Sequence, residues 1–479
     1  MSPETVGLAL LLLGLLLLIA KLIRVRWKFA QKLFLPSSII GGGIALLFGP
    51  EIFGSIMSAF GNDSYTEGGL FGAEVREVWT SLPGLLISVV FAALFLGERL
   101  PKPKQAAKLA GPQLAFGLTL GAGQYVIGLL LALLVITPFF DLPYAVGTLI
   151  EVGFEGGHGT AAGMQGTFEE LGFEEGKDLS LGMATVGLLT GVVVGIALVN
   201  WGVRTGKASQ LDAGRTNMSV KEAQGVYEKD EHRPAAMMTV NPSSIEPLIF
   251  HFGMIAAAVL IGQLMLMGMQ KVEQLLWADS VEILAYVPLF PMAMIGGIFV
   301  QMIIDRFDRG GLVDRLTMER LQGFALDLLV IAAMGTLALE VIADNFWPFL
   351  ILAVAGLAWC VFAVVFLAKR IIPEYWFERS LGDFGQSTGT TATGLVLMRI
   401  ADPELRTPAY QAFGYKQLIL EPFFGGGIVT AASVPLIVQF GPTPFLISMI
   451  VLLIAAVGLG MFFRNRSVKR ARQQELVKT

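Results

Sequence analysis

The sequence predicts an all-α polytopic membrane protein with two inverted-topology repeats, each of five transmembrane helices and one re-entrant hairpin, and one extra C-terminal helix. Three observations carry that reading. Hydrophobic residues make up 54% of the 479-residue chain and charged ones 15%, against roughly a quarter charged in soluble domains. Apolar stretches of about 20 residues, enough for a helix to cross a bilayer, recur along the chain. Two polar strings, Gly156-Gly157-His158-Gly159-Thr160-Ala161-Ala162-Gly163 and Ser387-Thr388-Gly389-Thr390-Thr391-Ala392-Thr393-Gly394, interrupt them at corresponding places in the two halves. In lipid the backbone must satisfy itself, so such breaks survive only where protein or a watery cavity surrounds them.

The first apolar run, Thr5 to Ala20, has only Glu4 ahead of it and Lys21, Arg24, Arg26, Lys28 and Lys32 behind it. A signal peptide has its positive charges in front, so this run is read as a retained first span with its N-terminus outside. Spans follow near 33–50, 81–98, 110–137 and 178–203, then 246–270, 283–304, 320–342, 346–369 and 409–438, and a last one at 443–463, eleven with the first at 5–23. The broken segments at about 142–168 and 375–398 are read as hairpins that enter and leave on one side. If so, 30 of the 34 Lys and Arg lie on the inner side and only Arg76, Lys177 and Lys271 on the outer, with Lys416 in a span. That partition puts the C-terminus inside, and a full crossing by either hairpin would destroy it.

The first hairpin then opens outward and the second inward, as inverted repeats require. Pro36, Gly41 and Gly42 match Pro291, Gly296 and Gly297 at an offset of 255, and Gly84 matches Gly323 at 239, which aligns Ser88 with Asp327. Thr160 and Gly163 match Thr391 and Gly394 at 231, and Gly182 and Gly195 match Gly414 and Gly427 at 232. The expected domains are residues 1–203 (first repeat), 204–245 (cytoplasmic linker), 246–440 (second repeat) and 441–479 (extra span and basic tail). The linker is charged, with Asp212, Arg215, Lys221, Glu222, Glu228, Lys229, Asp230, Glu231, His232 and Arg233, and reads as solvated. Paired breaks in the two halves of a helical membrane protein mark the binding site of a secondary transporter.

Several classes are excluded. A lone cysteine, Cys360, allows no disulfide within the chain, and three scattered histidines give no dense metal-ligand cluster. No G-x-x-x-x-G-K-[ST] loop is present for ATP and no G-x-S-x-G elbow for catalysis. The chain is read as no enzyme, with no cofactor, no nucleic acid and no ATP among its partners; the tail from Arg464 to Lys478 is basic and suits anionic inner-leaflet lipid.

Gly156-Gly157-His158-Gly159-Thr160, the string Leu35-Pro36-Ser37-Ser38-Ile39-Ile40-Gly41-Gly42 and the paired hairpins resemble the bacterial sodium/glutamate symporter family over most of the chain. The resemblance implies import of L-glutamate or a closely related acidic amino acid with sodium as coupling ion. It also implies a homodimer in the bacterial inner membrane, with hairpins moving against a dimerised scaffold. The chain departs from the family in its expanded 51–80 region, long linker, last span and threonine-rich second motif. A sodium- or proton-coupled carrier of a di- or tricarboxylate on the same architecture is the alternative.

The hairpin chemistry follows from helix ends. A half-helix that starts in mid-membrane presents unpaired amides and a positive dipole end. The amides of Gly159, Thr160 and Ala161, and of Gly389, Thr390 and Thr391, are therefore candidate donors to substrate carboxylates, with Gly157 and His158 beside them. The hydroxyls of Thr160, Ser387, Thr388, Thr390, Thr391 and Thr393 donate to a carboxylate or accept from an ammonium. Lys416 either neutralises a substrate carboxylate or snorkels to the inner surface. Sodium prefers oxygen ligands, by extension from the hard-cation rule, and the candidates are Gly156, Thr160, Asp327, Asp383, Thr390 and Glu421. Asp327 could equally pair with a neighbour, and His158 hydrogen-bond rather than shuttle protons. Glu151, Glu155 and Glu340 are further intramembrane acids.

Overall fold

The computed structural model describes residues 2–33, 35–98, 103–210, 224, 226, 232, 234–278, 282–308, 311–402 and 406–478, for 103–109 and 468–478 the backbone alone. Of the charged linker residues, only His232 lies within the described residues. These residues are helical, with no strand among them. The longer helices run α1 (Pro3–Arg26), α2 (Ser37–Leu47), α3 (Ala73–Ala93), α4 (Pro103–Leu131), α5 (Gly176–Arg204), α6 (Pro247–Leu276), α7 (Leu289–Phe307) and α8 (Arg315–Gly335). They continue as α9 (Phe346–Phe362), α10 (Trp376–Thr388), α11 (Thr391–Ala401), α12 (Ala409–Leu420), α13 (Ile428–Phe440) and α14 (Pro442–Lys478).

Among the described residues nine helical stretches are long and apolar enough to cross a membrane. They account for all the expected spans but the eighth and tenth. The eighth is α8, shifted toward the N-terminus and too charged to qualify, with Glu319, Arg320 and Asp327 in it. Glu340 consequently lies past its end, exposed in the short helix Leu339–Asp344. The tenth is two helices, because the chain breaks at Glu421–Gly427: Pro422 brings no amide, and Gly425 and Gly426 take φ values of +71° and +109° that other residues resist. The third span starts earlier than hydropathy suggests, and Arg76 is inside α3. The fourth and ninth spans both end in a π-helical turn, Ala132–Ile136 and Ala363–Ala368.

The helices gather into two compact units, and each draws on both halves of the chain. The first comprises Met1–Arg99, His158–Leu181 and Met218–Asp344, the second Leu100–Gly157, Gly182–Asn217 and Asn345–Thr479. In the first unit Trp79 of α3 is buried with Leu13, Val78, Ile331 and Ala332, and its indole donates to Ala9 O at 3.1 Å. Glycines bring the helices to backbone contact. A Cβ at Gly42 would lie 2.3 Å from Met334 Cβ on α8, and one at Gly297 2.4 Å from Ala92 O on α3.

Helices α3 and α8 cap each other. Arg76 Nη1 donates to Gly335 O at 3.0 Å at the end of α8, and Arg315 Nη1 to Leu94 O at 2.7 Å and Leu96 O at 3.2 Å just past α3. Each guanidinium satisfies carbonyls left over at the negative end of the other helix, so the two run antiparallel. The offset of 239 that aligns Gly84 with Gly323 also aligns Arg76 with Arg315.

In the second unit α4 packs against α9, α10, α12 and α14. One apolar cluster of this unit holds Phe116, Cys360, Phe377, Phe384 and Leu397, and another Tyr125, Leu129, Phe424 and Phe445. Buried between the helices of this unit lies a polar network.

Candidate substrate and ion site

The second polar string builds a helix–break–helix. Gly389 and Thr390 leave helical geometry between α10 and α11, and the Thr390 hydroxyl caps α11 by accepting from Thr393 N at 3.3 Å. The Gly389 amide donates back to Gln386 O at 3.3 Å. The two half-helices lie backbone to backbone: a Cβ at Gly385 would stand 2.5 Å from Gly394 N, and one at Gly394 2.3 Å from Gly382 O. Helix α5 seats the tip through its own glycines, since a Cβ at Gly187 would be 2.3 Å from Thr388 O and one at Gly191 2.4 Å from Thr388 Oγ1. Gly195 packs in the same way on Leu397.

The broken end of α10 is closed from α4. Gln124 Nε2 donates to Ser387 O at 2.5 Å, and the Cys360 thiol lies 3.6 Å from the same oxygen. One turn of α10 earlier, Asp383 is wholly buried. Gln113 Nε2 donates to its Oδ2 at 2.6 Å, and Lys416 Nζ stands 3.4 Å from its Oδ1, in ion-pair range but without a hydrogen bond. Lys416 is as fully buried as its partner, so its ammonium does not reach the surface. Its ammonium donates to Gln417 Oε1 at 2.6 Å and sits 5.4 Å from the Phe413 ring centroid.

From there polar contacts run on to the α10–α11 break and to Glu155. Gln417 Nε2 donates to Thr391 Oγ1 at 3.0 Å, Thr391 Oγ1 to Gln386 Oε1 at 2.6 Å, and Gln386 Nε2 to Glu155 O at 3.4 Å. Ser387 Oγ donates to Glu155 Oε2 at 3.3 Å. At the other end Arg379 Nε donates to Gln113 Oε1 at 2.8 Å. The network therefore joins Arg379, Asp383 and Lys416 to Thr391, Gln386 and Ser387 at the α10–α11 break and to Glu155 just ahead of the first string.

A second buried carboxylate repairs the break in the tenth span. Glu151 Oε1 accepts from Gly425 N at 2.9 Å and Thr430 Oγ1 at 2.8 Å, and its Oε2 from the Tyr125 hydroxyl at 2.6 Å. The side chain stands in for helical hydrogen bonds that the glycines forgo.

Of the expected site residues, the network includes Asp383, Ser387, Thr391 and Lys416. Thr388 turns inward to Phe384 O at 2.8 Å, Thr390 and Thr393 cap α11, and Glu421 closes α12, half-buried. The first string begins as expected, with Gly156 and then Gly157 at φ +68°. The chain passes from the second unit to the first between Gly157 and His158. His158, Gly159, Thr160 and Ala161 are buried in the first unit, where a Cβ at Gly159 would lie 2.9 Å from Ile87 Cδ1. Asp327 is in that unit too, beside the buried Ser38. No cluster of three His, Cys, Asp or Glu side chains fit for a metal occurs among the described residues.

Sequence reasoning missed Gln113, Gln124, Gln386 and Gln417, all buried. A signal existed: Gln113, Gly117, Gly121 and Gln124 fall at helical spacing on one stripe of α4. A protein-family model described as sodium/glutamate symporter matches residues 5–400. No curated protein matches the chain.

Proposed function

Since the chain belongs to the sodium/glutamate symporter family, we propose that it imports L-glutamate or a closely related acidic amino acid into the cell together with sodium. Transport proceeds by alternating access between two inverted repeats, with the N-terminus outside, the C-terminus inside and the broken segments as re-entrant hairpins. The reciprocal caps of Arg76 and Arg315, at one offset with Gly84 and Gly323, support the inverted repeats. The homodimer, the elevator-type motion and the bacterial inner membrane are implied by the family resemblance.

The observation that carries the reading is the fully buried Lys416–Asp383 pair joined through Gln417 and Thr391 to the hairpin tip. A buried ammonium needs a partner at all times. Asp383 and Gln417 supply it here, and a substrate carboxylate replaces them on binding. Once Lys416 turns to the substrate, Asp383 loses its nearest counter-charge, and sodium takes the vacated place. Each ligand thereby raises the affinity of the other by the same factor, which is what a symporter requires.

Uptake of radiolabelled L-glutamate into proteoliposomes, with an inward sodium gradient against a choline control, tests this. Sodium-dependent accumulation abolished by unlabelled glutamate is expected. Uptake unchanged in choline overturns sodium coupling, and competition by malate or citrate but not glutamate reassigns the substrate to a plain carboxylate.

A further inference from the structure

The three carboxylates of the second unit's polar core are not equally provided for. Glu151 accepts three hydrogen bonds, and Asp383 has Gln113 and the Lys416 ammonium. Glu155, only 4% exposed, accepts a single long bond of 3.3 Å from Ser387 on Oε2. Among the described residues no ion pair reaches it and nothing donates to its Oε1. Ser387 also holds Gln124, whose Oε1 is buried without a hydrogen-bond partner. Ser387 thus stands between two acceptors, the buried, unpartnered Gln124 Oε1 and the thinly provided Glu155 carboxylate, and an acceptor with too few donors is costly in the interior, a charged one most of all.

The fold does not demand a charge here. The offset of 231 that aligns Thr160 with Thr391 puts Gln386 opposite Glu155, so the second hairpin carries an amide where the first carries a carboxylate. Helix α4 sets the spacing to the nearest buried cation. A Cβ at Gly117 would lie 2.5 Å from Lys416 Cε, and one at Gly121 3.0 Å from Glu155 Oε2. The two charged groups therefore rest on glycines one turn apart, about 6 Å along the helix, a spacing suited to a small molecule with both a carboxylate and an ammonium.

Resting on the transport reading above, we propose that Glu155, seconded by Gln124, is the acceptor for one monovalent positive charge in this site. The charge is either the ammonium of the amino-acid substrate or the coupling sodium ion. An ammonium offers three donors and no acceptor, which suits bare acceptors; sodium suits them as an oxygen-seeking cation.

The test uses the full-length chain in proteoliposomes, comparing Glu155→Gln, which keeps shape but not charge, with the charge-retaining Glu155→Asp. Three quantities are read: inhibition of labelled glutamate uptake by glutamate, inhibition by glutarate, the same five-carbon diacid without the amine, and the half-saturating sodium concentration. If the ammonium is the guest, E155Q weakens glutamate at least about tenfold, shifts glutarate by less than about twofold, and E155D falls between. If sodium is the guest, half-saturating sodium rises at least about fivefold and both acids shift together. E155Q equal to the wild type in all three overturns the proposal. Thermal stabilisation of detergent-solubilised protein by glutamate, glutarate and sodium chloride reads the same quantities without transport. Failure of the wild type to take up glutamate, which would count against the transport reading, is thereby separated from failure of Glu155. Should E155Q not fold, Gln124→Leu and E155D carry the same comparison, and wild-type behaviour of both overturns the proposal.

Discussion

The two compact units use charge in opposite ways. In the first, Arg76 and Arg315 sit at helix ends, each closing the other helix with bonds to carbonyls, and Arg315 also pairs with Glu98 and Glu319 at 3.2 Å near the surface. In the second, Lys416, Asp383, Glu151 and Glu155 lie in the interior, next to helix breaks rather than at helix ends. End charges serve the backbone and gain little from being exchangeable. Interior charges are costly wherever they stay, so their retention beside two breaks marks the place where partners change.

Lys416→Met strikes this contrast hardest. It leaves Asp383 buried without its nearest counter-charge, a loss of about 3–5 kcal/mol, and sodium-driven uptake falls at least about a hundredfold. Adding Asp383→Asn recovers most of the thermal stability, because both partners are then neutral, but none of the uptake. Full uptake by the double variant would place the pair among merely structural ones. Glu151→Gln comes next. An amide cannot serve Gly425 N, Thr430 and Tyr125 as the carboxylate does, and the melting temperature in detergent drops by the equivalent of about 1–3 kcal/mol.

Arg315→Met probes the other side of the comparison. It removes a cap at a partly exposed end, costing about 1–2 kcal/mol of stability, while uptake per folded molecule stays within about twofold of the wild type. A selective loss of transport would bring this arginine into the working machinery.

The smallest effect belongs to Asp314, the N-cap of α8. Burial works against its carboxylate, yet the Thr317 hydroxyl and the amides of Met237 and Thr317 hold its carboxyl below the ordinary value. Its contribution is complete above the unfolded value of about 3.9 and is lost as pH falls through the lower folded value. Asp314→Ala therefore costs about 1 kcal/mol at neutral pH and flattens the acid limb of a pH–melting curve; an unchanged limb would exclude this cap as its source.

The fold was largely legible in the sequence. Hydropathy is a local property, so most spans were located to within a few residues. Hydropathy misplaces the third and eighth starts where helices carry charge, at Arg76 and Glu319, and runs the tenth span through a Pro422–Gly427 break that its apolar flanks conceal. The site was legible only as polar strings. Ser387, Thr391, Asp383 and Lys416 were singled out by their cost in a membrane, while Gln113, Gln124, Gln386 and Gln417 drew no notice because an uncharged amide in an apolar helix raises no alarm until its partner is known.

By itself the sequence determined the class, most of the spans and the two polar strings, since a bilayer judges each stretch of chain separately for length, apolarity and backbone satisfaction. Only the tertiary structure decided what each polar group faces. Lys416 points at Asp383 rather than at the membrane surface, Glu151 mends a break 274 residues away at Gly425, and the first string divides between two units after Gly157. The reason is physical: a buried charge or amide is settled by whichever group the packing brings within 3 or 4 Å, and several of those groups are distant in the chain.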